Sequence, residues 1–130
     1  MSLDEKRKLL ALQQTTFPER TRELLEITGS PIQYEVDWGS FAGDLEALNF
    51  VDNLSCHRTN MALRVICMDE LGKGAIKTGL RTIKLKNVAT KDAMSIAFAN
   101  GVLEMHCAYA LRTDGMFSDN QIRKAIDDGL

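Results

Sequence analysis

The chain is sparing with the residues that build specialised structures. Among its 130 residues are two prolines, three cysteines and one tryptophan, and aromatics make up 6%. With so little proline and a 45% hydrophobic content, a disordered or fibrous chain is excluded. Cys56, Cys67 and Cys107 are odd in number and lack scaffold spacing, which points to reduced thiols rather than a disulfide framework. Neither sign of charge dominates. Sixteen Lys and Arg against 18 Asp and Glu leave a formal charge of −2, which excludes a broadly cationic nucleic-acid binder. No window approaches the roughly 18 apolar residues of a membrane helix. The opening MSLDEKRKLLALQQ has no apolar stretch of the length a secretory leader needs. A cytoplasmic protein without membrane contact is expected.

What is present reads as a single α+β domain over residues 1–130, long enough to bury roughly two-thirds of its unfolded surface. Leu9, Leu10 and Leu12, then Leu24, Leu25 and Ile27, mark two N-terminal helices over 3–28. Thr16 is placed to cap the second, with Pro18 in its first turn and Gly29 stopping it. Pro31 to Asp37 alternates apolar and polar as a half-buried strand does. Trp38 and Phe41 in the following loop are expected to fold back as core anchors.

A central helix is predicted from about 44 to 71, with room for a break near Asn53. Projected at 100° per residue, its apolar side chains cover nearly the whole circumference. Leu54, Met61, Val65 and Met68 share one side, and only His57, Asn60 and Arg64 form a polar stripe. Such a helix is either central or part of an oligomer interface.

Thr82 to Lys86 alternates as a second strand, after a short helix among Gly72, Gly74 and Gly79. Asn100-Gly101 then marks a two-residue hairpin over 94–109, opposing Phe98 to Leu103, Ile96 to Met105 and Met94 to Cys107. Ser118 and Gln121 form a capping box for a last helix over 118–128. The order α-α-β-α-α-β-β-β-α predicts a two-layer domain, with a mostly antiparallel four-stranded sheet and helices packed on one face. Gln33, Glu35, Asp37, Lys84, Lys86, Ser95, Glu104 and His106 are expected on the sheet's open face.

Candidate chemistry is thin. Cys56-His57 and His106-Cys107 carry zinc-type ligands, yet adjacent residues diverge by about 100° on a helix and point to opposite faces of a strand. No CxxC or HxxxH spacing solves that problem, so no metal and no cofactor are expected. A Cys–His pair of Cys56 with His106, or an acid–base cluster of His106 with Glu104, would suit a small-molecule enzyme.

Charge placement says more. Residues 30–57 hold five acids and no Lys or Arg, whereas 72–91 hold six cations and no acid. Lys73, Lys77 and Arg81 recur every four residues, and Lys84 and Lys86 follow on the strand, so the stretch 73–91 could grip a polyanion such as nucleic acid. It lacks interleaved aromatics and any recognition motif. The favoured expectation is a non-enzymatic interaction protein that self-associates, most simply as a dimer. Polyanion binding and a Cys/His enzyme site are the alternatives.

Overall fold

Ser2 begins the first helix by accepting the Glu5 N–H on its hydroxyl. In this computed structural model, which describes residues 1–130, α1 (Leu3–Ala11) does not stop where a cap at Thr16 was expected. It passes through a π turn, Leu12–Thr16, directly into α2 (Phe17–Thr28). Thr16 has helical dihedrals and makes no capping bond. Pro18 supplies the reason: it has no N–H for the preceding turn, and a widened turn accommodates that loss without ending the helix. Gly29 closes α2 in the left-handed conformation at φ 72°.

After β1 (Gln33–Val36), the 3-10 turn Trp38–Phe41 brings Phe41 fully inside, as expected, while Trp38 stays half-buried. The predicted central helix is divided. α3 (Leu45–Val51), a π turn at Asp52–His57 spanning the expected break near Asn53, and α4 (Arg58–Ile66) occupy its place, while α5 (Glu70–Gly79) is the short helix expected among Gly72, Gly74 and Gly79. The π turn takes one residue more than an α turn, so a projection at constant 100° loses phase across it. In consequence Leu54, projected on one side with Met61 and Val65, is 1% exposed while those two face outward. Asn60, assigned to the polar stripe, is also 1% exposed, held inside by Tyr34 and Glu23.

The remaining elements are β2 (Thr82–Asn87), β3 (Ser95–Ala99), β4 (Val102–Cys107) and α6 (Asp119–Gly129). The capping box at Ser118 and Gln121 forms as expected. Asn100 at φ 54° and Gly101 at φ 80° make the primed turn, and Phe98 pairs with Leu103 and Ile96 with Met105. The ladder starts at Ser95, so the expected Met94–Cys107 pair lies beyond it.

The sheet is not mostly antiparallel. Its order is β1-β2-β4-β3, and β1–β2 and β2–β4 are parallel; only β3–β4 is antiparallel. The helical stretch α3 to α5 provides the long crossover that parallel β1 and β2 require. β4 then takes the inner position over β3. Its Leu103, Met105 and Cys107 are fully buried, whereas Ile96 and Phe98 of β3 are only half-buried. Ile83, Leu85, Leu103 and Met105 join Leu24, Leu48, Leu63, Ile76 and Ile122 in one core between sheet and helices. No helix is long and apolar enough to cross a membrane.

Candidate functional site

Alternation along the strands leaves the sheet's second face uncovered and orders its charges into rows. In one row Glu35 stands beside Lys84, and Lys84 beside Glu104. The Asp37 N–H continues the ladder by donating to Leu85 O at 2.9 Å, so a second row runs Asp37, Lys86, His106, Ser95. Lys84 Nζ lies 3.9 Å from Glu35 Oε2, and His106 Nε2 lies 3.4 Å from Glu104 Oε2. These side chains line an open depression of about 430 Å³. Exposed ion pairs of this kind are worth a few tenths of a kcal/mol each.

A second hollow, about 470 Å³, runs between the N-terminal helix and edge strand β1. Gln13, Phe17, Pro18 and Thr21 form one wall; Gln33, Tyr34, Val36 and Trp38 form the other. Phe17 makes edge-to-face contacts with Tyr34 at 5.7 Å and Trp38 at 5.3 Å. The sequence reading passed over this groove, because its walls come from segments whose approach no local pattern announces. The helical spacing of Gln13, Phe17 and Thr21 was the available signal.

Behind the groove lies a polar chain. The Tyr34 hydroxyl donates to Asn60 Oδ1, and Asn60 Nδ2 donates to Glu23 Oε1, each at 2.7 Å. Arg20 reaches Asp52 through two bonds of 2.8 and 3.1 Å and also touches Glu23 at 3.2 Å. The bonds to Asp52 outweigh burial and hold Arg20 firmly charged. Burial alone would raise Glu23, but Asn60 and Arg20 together hold its carboxyl below the usual range. Desolvation pushes the enclosed Tyr34 hydroxyl well above its ordinary value.

The candidate thiol and imidazole do not meet. Cys56 is fully buried among the helices, while His106 lies on the open face with Glu104, on the other side of the sheet. Burial, with Asp52 nearby, pushes the Cys56 thiol well above its ordinary range. Burial also raises Cys107, which is enclosed, and Cys67, which is half-exposed. These environments stabilise the thiol over the thiolate a nucleophile needs.

The basic stretch is dispersed. Lys73 and Lys77 lay their stems against Gly29, at the carbonyl end of α2 where cations are favoured. Arg81 donates to Asn100 O at 2.6 Å over the hairpin turn. Lys84 stands between Glu35 and Glu104 on the open face, and Lys86 between Asp37 and His106, so the five cations do not share one surface. No group of three or more His, Cys, Asp or Glu residues is arranged to hold a metal ion.

The most exposed large apolar side chains are Met68 at 81% and Leu71 at 86%, in line with Met61 at 37% and Val65 at 43%. Met61 and Val65 lie on α4, Met68 in the turn that follows it, and Leu71 in the first turn of α5. Comparison with known proteins finds no matching family model, no matching curated protein and no matching solved structure.

Proposed function

We propose that the protein is a non-enzymatic interaction module that self-associates through the outer side of α4. The observation that carries this reading is the run of Met61, Val65, Met68 and Leu71 left in water. Fully burying a side chain of this size contributes about 1.5–3 kcal/mol relative to leaving it exposed. Charge placement favours a second copy as the occupant. A two-fold pairing that sets Met61 against Leu71 of the second copy also sets Val65 against its Met68. The same pairing brings Arg64 opposite Asp69 of the second copy, so charge and apolar pattern agree.

Sedimentation equilibrium at micromolar concentration tests it. The expected mass is twice 14.5 kDa, falling to the single mass in a Val65→Glu, Met68→Glu variant that keeps its circular dichroism. A wild-type monomer across the accessible concentration range overturns the reading.

A further inference from the structure

β1 is an edge strand, and its unpaired side opens into the aromatic groove. The Gln33 N–H donates to Arg81 O at 3.2 Å and the Asp37 N–H to Leu85 O at 2.9 Å, so residues 33, 35 and 37 bond towards β2. Strand alternation then turns the N–H and C=O of Tyr34 and Val36 to the free edge. Both residues line the 470 Å³ groove, with Phe17, Pro18 and Trp38 around them.

The charge rows say what such an edge accepts. Signs alternate in the first row, Glu35, Lys84, Glu104, and in the second Asp37 stands beside Lys86, so both rows end at β1 on an acid. A cation is the complementary next neighbour in each. On its paired edge β1 already holds a strand of that type: Ile83-Lys84-Leu85-Lys86 lies with Lys84 beside Glu35 and its apolar residues turned to the core. A second copy of β1 is a poorer occupant, because antiparallel registers centred on Glu35 or Val36 set acid against acid.

We propose that this edge and groove bind an extended segment of another protein in which Lys or Arg alternates with apolar residues. The segment adds a fifth strand beside β1, its backbone bonded to Tyr34 and Val36. Its cations meet Glu35 and Asp37, and its apolar side chains enter the groove against Phe17 and Trp38. The chain's single tryptophan therefore sits in the site and reports on occupancy.

The test titrates the full chain with acetyl-(Lys-Val)₃-amide and acetyl-(Glu-Val)₃-amide while following Trp38 emission. The lysine peptide is expected to give a saturable change, weakened by salt, with a preference of at least about ten-fold over the glutamate peptide. Hydrogen exchange at the Tyr34 and Val36 amides should slow on binding. Val36→Pro removes the outward donor, together with the valine's packing against the core, and should abolish the response. Should that variant not fold, Glu35→Lys should instead lower the lysine-peptide preference by about five-fold. Equal responses to both peptides, no saturable response, or an unchanged preference in Glu35→Lys overturns the proposal. So does protection of the Tyr34 and Val36 amides that rises with protein concentration and no peptide, which would make a second copy the occupant. The Val65→Glu, Met68→Glu variant should keep full peptide binding, so this site and self-association through α4 stand or fall separately.

Discussion

Tyr34 donates its phenolic hydroxyl to Asn60 Oδ1 at 2.7 Å, tying the edge strand β1 to the buried side of α4. Through Asn60 the tie continues to Glu23, and through Glu23 to Arg20 and Asp52. One polar chain thus joins α2, β1, the π turn at Asp52–His57 and α4, and it forms the back of the β1 groove.

Tyr34→Phe should destabilise the fold by about 1–2 kcal/mol, because it leaves the buried Asn60 carbonyl without its donor. Asn60→Ala should cost more, about 2–4 kcal/mol, since it leaves the Tyr34 hydroxyl only the longer bond to Cys56 O at 3.4 Å and Glu23 Oε1 only Arg20 at 3.2 Å. Urea denaturation followed by circular dichroism measures both. A smaller effect for Asn60→Ala than for Tyr34→Phe would show that Asn60 is not the hub.

Acid should weaken the same chain. The Glu23 carboxyl is held below its unfolded value, so its contribution to stability is complete above about pH 4.3, the ordinary carboxylate value. It is lost as pH falls through the lower folded value. Below about pH 4.3, the melting temperature of the wild type should fall more steeply than that of Glu23→Gln. Parallel curves would remove Glu23 from the account of acid lability.

The three thiols should label in the order of their exposure. At neutral pH iodoacetamide should modify half-exposed Cys67 first and more slowly than the denatured chain. Cys56 and Cys107, enclosed and with raised values, should react only as fast as the protein opens. Mass spectrometry of timed samples reads the order. A Cys56 that reacts faster than the denatured control would revive a nucleophilic role.

The hairpin turn should resist substitution at one residue. Gly101→Ala combines φ 80° with a Cβ placed 2.6 Å from the Arg81 guanidinium. A left-handed non-glycine residue costs about 1–2 kcal/mol, visible as a lower denaturation midpoint. Gly115→Ala should be worse and yield little folded protein, because its Cβ would overlap the Ala108 carbonyl, a backbone atom that cannot step aside.

Features resting on sequence neighbours were legible from the chain itself. The capping box at Ser118, the Asn100-Gly101 turn with its Phe98–Leu103 register, and the helix stop at Gly29 each depend on residues a few positions apart. Strand alternation likewise placed Glu35, Lys84, Glu104 and His106 on the open face, because side-chain direction along a strand is a property of that strand alone. The tertiary structure decided the rest. Whether β2 runs beside β3 or β4 depends on which hairpin strand buries more apolar surface. The outward side of α4 depends on a π turn that shifts its phase and on Tyr34 and Glu23, which draw Asn60 inside. The β1 groove requires Phe17 and Trp38, 21 residues apart, to touch. Local pattern specifies elements; only the packing of distant segments specifies their neighbours, and both proposed binding surfaces are made of neighbours.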